Sequence, residues 1–262
     1  MKRTLLATAL TLCSAGLMAN SFQNETNLDY RWGDILNAEL KNYGLTHQFY
    51  LSPVSTANNM PLAEAGFLSR SSSILVGYDY AQFDFGGLGE SSLSAWSVGG
   101  EYRDVNHNFY ASLLWTEFNN TRDRAIATSL GYYVDPTWLV TLDIEHLRPD
   151  SEGSVTQYGV STKKLMTLGN GDFMSVEASY MDLAETSLGR FGVAADYYFG
   201  QNVSLGLAYD WTTKGLFDPE ADAFTVRGNW YVLPNLALKA GVTFDSVDTG
   251  DDLYHVGATF RF

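Results

Sequence analysis

Apolar and polar residues alternate along most of this chain, in segments of about ten residues separated by turn residues, from Phe22 to the terminal Phe262. The last segment shows the pattern most plainly. Tyr254, Val256, Ala258, Phe260 and Phe262 fall on one face of an extended stretch, and His255, Gly257, Thr259 and Arg261 on the other, because successive side chains of a strand point to opposite sides. The same phase recurs in Thr26, Leu28, Tyr30, Trp32; in Tyr43, Leu45, His47, Phe49, Leu51; in Ile74, Val76, Tyr78, Tyr80; and in Trp96, Val98, Gly100, Tyr102. It continues from Phe109 to Trp115, Ile126 to Val134, Trp138 to Ile144, Tyr158 to Thr162, Met174 to Tyr180, Phe191 to Phe199, Val203 to Trp211, Phe224 to Trp230 and Leu236 to Phe244. One such segment fits any half-buried strand. The succession predicts an all-β chain in which every strand carries one apolar face.

Connections come in two sizes. Asp135-Pro136, Gly169 to Asp172, Gly200 to Asn202 and Leu233 to Asn235 are tight, whereas Gly86 to Ser92, Leu147 to Gly153, Leu183 to Gly189, Lys214 to Asp222 and Asp245 to Asp252 are longer and mostly acidic. Short turns alternating with longer loops are the connectivity of a transmembrane antiparallel β-barrel, with the short turns on the periplasmic side. The alternation runs backward from the C-terminus to about Ile74. Pro53 to Ser73 interrupts it, and its middle, Pro61-Leu-Ala-Glu-Ala-Gly-Phe-Leu-Ser-Arg70, reads as a short helix opened by Pro61 or as an extra strand. Taken as a periplasmic connection it leaves about 14 strands, with 12 or 16 as alternatives, and preserves the even number of bacterial barrels. It is also the best candidate to narrow a lumen, since no outer loop is long. Aromatics beside the tight turns, at Tyr132, Tyr133 and Trp138, at Tyr197 to Phe199 and at Trp230-Tyr231, predict an interfacial girdle.

The first residues differ from the rest. Lys2 and Arg3 precede an uncharged run from Thr4 to Ala19, which reads as a secretory signal peptide cleaved after Ala19, leaving residues 20–262 as the barrel domain. Leu12 before the lone Cys13 argues against a lipoprotein, and the mature chain then has no cysteine and no disulfide. Removing Lys2 and Arg3 from 16 basic residues leaves 14 against 30 acidic ones, a net charge of -16, which argues against nucleic acid as a partner. Nothing after Ala19 approaches the roughly 18 uncharged apolar residues of a membrane-spanning helix. If the protein crosses a membrane it does so as a closed barrel, since only helices and barrels satisfy every backbone group in lipid.

The terminal alternating strand ending in Phe262 resembles the closing strand of bacterial outer-membrane barrels, whose C-terminal aromatic is read by the insertion machinery. Asn20-Ser-Phe-Gln-Asn-Glu, Phe49-Tyr-Leu-Ser-Pro-Val54, the Pro61 to Arg70 stretch and Tyr133-Val-Asp-Pro-Thr-Trp138 together resemble the "putative general porin" family of Gram-negative bacteria. That resemblance covers essentially the whole mature chain. It implies an outer-membrane barrel in contact with lipid and lipopolysaccharide, passing small hydrophilic solutes, and it brings no binding residues with it.

The polar faces of the predicted strands carry Asp29, Arg31, Asp79, Glu101, Arg103, Asp143, Glu145, Lys163, Glu177, Asp196, Asp210, Arg227, Asn229, Lys239, His255 and Arg261. A charge facing lipid costs about 2–4 kcal/mol at the midplane, so this phase supports a polar lumen lined by these groups. Eight of the charges are acidic and six basic, His255 aside, a small excess. Most of the negative charge sits in outer loops such as Asp218, Glu220, Asp222 and Asp245 to Asp252, where its field predicts a weak cation preference that salt screens.

No catalytic constellation emerges. His47 and His146 fall on apolar faces, His107 lies in a turn beside Asn106 and Asn108, and only His255 points inward; neither Gly-x-Ser-x-Gly nor His-Glu-x-x-His occurs. Asp143 and Glu145 share a face about 7 Å apart without a visible acid/base partner. Asp245 to Asp252 lacks the ligand spacing of a calcium loop, because Val247 and Thr249 stand where oxygen ligands are required. The expectation is a barrel with no enzymatic activity, no cofactor and no metal. A structural or surface-interaction barrel with a blocked lumen is the alternative.

Overall fold

In the computed structural model, residues 20–35, 38–57, 59–119, 121–150, 153–183, 188–213, 219–245 and 252–262 are described. The expected signal peptide, and large parts of the Leu183 to Gly189, Lys214 to Asp222 and Asp245 to Asp252 loops, lie outside them. Strands β1 (Ser21–Ile35), β2 (Ala38–Ser55), β3 (Ser73–Asp84), β4 (Glu90–Asp104), β5 (Phe109–Phe118), β6 (Arg124–Asp135) and β7 (Trp138–Arg148) form the first half. The second half comprises β8 (Val155–Thr167), β9 (Phe173–Leu183), β10 (Leu188–Phe199), β11 (Val203–Thr213), β12 (Pro219–Leu233), β13 (Leu236–Asp245) and β14 (Asp252–Arg261). Every strand pairs antiparallel with its sequence neighbours, and β14 pairs with β1, closing a 14-stranded barrel. Closure leaves no free edge in lipid, which the alternating sequence alone could only imply.

The expected phase holds. Leu142 is 63% exposed, Leu51 58%, Trp230 53% and Trp96 51% on a surface where no protein covers them, so the apolar series forms the outer face. The aromatic girdle needs correction. Tyr132, Trp138, Phe199 and Trp230 point outward, but their neighbours Tyr133, Tyr198 and Tyr231 point inward and are buried, at 0%, 3% and 4% exposure. Adjacent residues of a strand cannot share a face, so only half of each aromatic cluster reaches the interface.

The start of β1 and the end of β14 lie at one end, together with the tight turns. Phe262 donates its backbone N–H to Asn24 O at 3.0 Å, and its carbonyl accepts the N–H groups of Gln23 and Asn24 at 3.1 and 2.9 Å. These bonds extend the β1–β14 seam past its last ladder pair. Deleting Phe262 is expected to prevent barrel assembly and leave the chain outside the membrane. Normal levels of heat-modifiable, membrane-embedded protein after the deletion would contradict this.

Candidate functional site

Between β2 and β3 the chain turns into the barrel at the terminal end. Pro61 enters it with φ -56° and accepts the Glu64 N–H at 3.0 Å, opening a 3-10 turn, Leu62–Glu64, that runs into the short helix α1, Ala65–Ser69. The sequence favours this locally, with proline at the entrance followed by Leu, Ala and Glu. Gly66 weakens the helix, yet a Cβ there would come within 2.6 Å of the Tyr50 hydroxyl, so close packing against β2 requires glycine. α1 ends at Arg70 in the left-handed region, φ 51°, a conformation that costs a side-chain-bearing residue about 1–2 kcal/mol. Arg70 is held there by donating Nη1 to Asn108 Oδ1 at 2.8 Å and lying 4.2 Å over the Tyr133 ring.

This segment is a plug with its own hydrophobic seat. Leu62 packs on Tyr231 and Ala237; Ala65 on Phe22, Tyr50 and Val54; and Met60, Ala63, Phe67 and Leu68 on Leu165, Phe173 and Tyr198. The buried tyrosines that the girdle expectation misplaced are this seat. Polar anchors fix its height. Leu62 donates its N–H to Gln201 O at 2.9 Å, while Leu62 O accepts Arg261 Nη1 at 2.8 Å and Gly66 O accepts Arg103 Nη1. Arg261 is sandwiched between Phe22 and Tyr231 at 4.4 and 4.6 Å and donates Nε to Glu25 at 2.7 Å. Glu64, 5% exposed, takes Lys163 Nζ at 3.0 Å and the Tyr198 hydroxyl, and the same Lys163 reaches Glu177 at 2.9 Å.

The turn that receives Leu62 is itself braced. Asp172, in the β8–β9 turn, accepts the Tyr197 hydroxyl at 2.7 Å and the Gly200 N–H at 2.8 Å, and these bonds hold its carboxyl below the ordinary carboxylate range.

Beyond the plug the interior face is polar. One recess of about 280 Å³ is bordered by Thr141, Ser161, Lys163, Glu177, Asp210 and Arg227. A second, of about 220 Å³, has Ala63 and Glu64 of the plug as one side and Asp196, Arg227, Lys239 and His255 as another. The charges are mostly paired. Arg227 grips Asp196 through Nη2 at 2.5 Å and Nε at 3.0 Å, and Asp196 lies flat across Gly206, where a Cβ would meet its Oδ1 at 1.9 Å. His255 meets Asp29 at 2.8 Å, Arg103 meets Glu101 at 2.5 Å, and Lys239 donates to Asn27 at 2.8 Å. Asp79, Asp143, Glu145 and Asp210 make no ion pair among the described residues.

Of the charges that the strand phase assigns to the polar face, Arg103 and Arg261 hold the plug, and Glu101, Glu177, Asp196, Arg227, Lys239 and His255 take part in the interior bonds; the role of Arg103 and Arg261 was not legible in the phase. Sequence reasoning also missed Glu25 and Glu64. Three consecutive apolar residues at strand ends, Tyr132-Tyr133-Val134, Tyr197-Tyr198-Phe199 and Trp230-Tyr231-Val232, carry the signal, since a residue of that kind on the polar face needs an apolar partner inside.

The fold has close counterparts. The outer membrane protein Omp33 of Acinetobacter baumannii superposes with TM-score 0.73 at 18% identity, over 94% of this chain and 100% of that one. A bacterial polysaccharide outer membrane secretin gives 0.51 at 12% identity over 94% and 100%, and Pseudomonas putida OprB 0.50 at 8% over 92% and 92%. At such identities the likeness speaks for the fold. No curated protein matches the sequence. A family model described as "Putative general bacterial porin" matches residues 1–155 and 150–262, the whole chain in two overlapping parts, and the chain belongs to that family of outer-membrane porins.

Proposed function

We propose that this porin is a passive pore for small hydrophilic solutes, exported by the segment before residue 20 and narrowed at its periplasmic mouth by the Met60–Arg70 plug. The observation that carries the reading is the open space inside: recesses of about 280 and 220 Å³ beside the plug, bordered by charged and hydroxyl groups and left unfilled by side chains. Passage through such a lumen requires no catalytic step, no cofactor and no metal. The terminal end, with its tight turns, faces the periplasm; the outer face meets lipid, and the far rim meets lipopolysaccharide. Phe262 ends the strand that the insertion machinery reads.

A weak cation preference belongs to the same reading. At the far rim Asp34, Glu39, Asp84 and Glu90 follow one another in register across β1 to β4, and their negative field adds to that of the acidic loops. The second reading, a blocked barrel serving as a surface or structural protein, draws on the plug, which bonds to strands around most of the ring. Swelling of liposomes that contain the purified barrel separates them. The pore reading expects swelling with small sugars that falls steeply as solute size rises, and the blocked reading expects none with any solute.

A further inference from the structure

We infer that Arg124 and Arg148, on the outer wall at the far rim, form a binding site for the phosphates of a lipopolysaccharide in the surrounding leaflet. The inference goes beyond the pore reading and takes from it only the orientation, with the terminal end toward the periplasm. Arg124 opens β6 and Arg148 closes β7, and the two stand directly opposite each other in register. Both share the phase of Ile126, Leu142 and Ile144, so they point away from the lumen, and both are exposed.

Like charges directly opposite on a ladder destabilise it, and the wall does little to relieve this pair. Arg148 makes no ion pair among the described residues. Arg124 has only Glu117, at 3.8 Å, beyond hydrogen-bond reach. Asp123, beside Arg124 in sequence, turns its carboxylate to the Asp150 N–H at 2.9 Å. The turn between β5 and β6 adds a third exposed arginine, Arg122.

The wall below the pair is laid out for acyl chains. On β14 to β4, and again on β9 to β11, the far half of the outer face carries aromatic rings in contact, among them Trp32 with Tyr254, Tyr78 with Trp96, and Tyr180 with Phe191. β6 and β7 interrupt this girdle, and their outward residues below the arginines are Ile126, Thr128, Leu142, Ile144 and His146. The gap runs from Trp115 on β5, opposite Ile126, to Tyr158 on β8, opposite Ile144, a width of three strand spacings or roughly 14 Å. On β1 to β4 the same rim is acidic, with Asp34, Glu39, Asp84 and Glu90 in register, so an anionic headgroup is repelled there and drawn to the β6–β7 sector. A guanidinium offers a planar fork that takes a phosphate through two hydrogen bonds. Two of them above an apolar strip match a phosphorylated headgroup whose acyl chains lie along the wall.

The test is equilibrium binding of a lipid A that carries two phosphates, read by native mass spectrometry of the purified full-length barrel in detergent. A chelator is present throughout, so that divalent cations cannot bridge the lipid to the acidic rim. The wild type is compared with Arg124→Gln plus Arg148→Gln, and with Lys41→Gln, which removes an exposed base on β2 that already pairs with Glu39 at 2.7 Å. Heat-modifiable mobility shows that each variant is folded. The double variant is expected to bind about tenfold more weakly or worse, and Lys41→Gln as the wild type does. Removing the phosphates from the lipid should bring wild-type binding down to that of the double variant. Equal affinity of the folded wild type and double variant would overturn the inference. Inorganic phosphate bound by the wild type as tightly as lipid A would overturn it too, since the site would then be one for a free ion. These outcomes do not depend on conductance, so a barrel that conducts nothing removes the pore reading and leaves this one standing.

Discussion

Replacing residues 59–69 by a short Gly-Ser turn is expected to raise single-channel conductance several-fold. The segment contributes no strand to the closed ladder, because β2 ends at Ser55 and β3 begins at Ser73, so the barrel hydrogen bonds survive its removal. What is lost is an apolar body seated on residues of β1, β2, β8, β9, β10, β12 and β13. Removing it uncovers Tyr133, Tyr198 and Tyr231 to water, a cost of about 25 cal/mol per Å² of apolar surface that lowers stability without changing topology. Heat-modifiable mobility on gels checks that the barrel is intact. An unchanged conductance in an intact barrel would show that the plug does not limit flow.

The second large effect falls on stability. Arg261→Ala is expected to destabilise the barrel by about 3–5 kcal/mol, the cost of leaving a buried charge unpaired. Glu25 loses the guanidinium at 2.7 Å, Leu62 O loses its donor, and the Phe22 and Tyr231 rings lose the plane stacked between them. The Arg261 side chain is 3% exposed and that of Glu25 13%, so water cannot readily replace the pair. Removing both charges, Arg261→Met with Glu25→Gln, is expected to recover much of the loss. The temperature or urea concentration at which the heat-modified form appears reads both variants. Equal resistance in the wild type and Arg261→Ala would mean that this pair carries little of the fold.

These two predictions turn on contacts that the sequence left half visible. Alternation is local, so it marks which residues lie on the outer face in each strand from Thr26 to Phe260, and the parity argument around Pro61 to Arg70 counted the strands correctly. Alternation says nothing, however, about what an inward residue meets across the lumen. Alternation sends Tyr132 outward and Tyr133 inward, but what buries Tyr133 completely, Arg70 and Phe67 of the plug, comes from a distant stretch. Glu64 and Lys163, 99 positions apart, meet only because a short helix folds through the mouth. The charges of β9 to β14 were placed on the interior face from phase alone; their pairing was not, since Asp196 and Arg227 become neighbours through the register of β11 between them.

The interior charges show a related limit. Counting interior charges predicts an excess of eight acids over six bases, which is small enough to assign the field to the rim. Pairing changes the weight of each charge. Arg103, Lys163, Arg227 and Arg261 are each tied to a carboxylate, whereas Arg31 and Lys239 have no ion pair among the described residues, and no count of charges in the sequence distinguishes the two groups.

Single-channel recording of the purified full-length barrel in a planar bilayer tests the central claim most directly. Discrete, reproducible conductance steps are expected, small for a 14-stranded ring and larger when the plug is removed. A folded, inserted barrel that stays electrically silent both with and without the plug would contradict it.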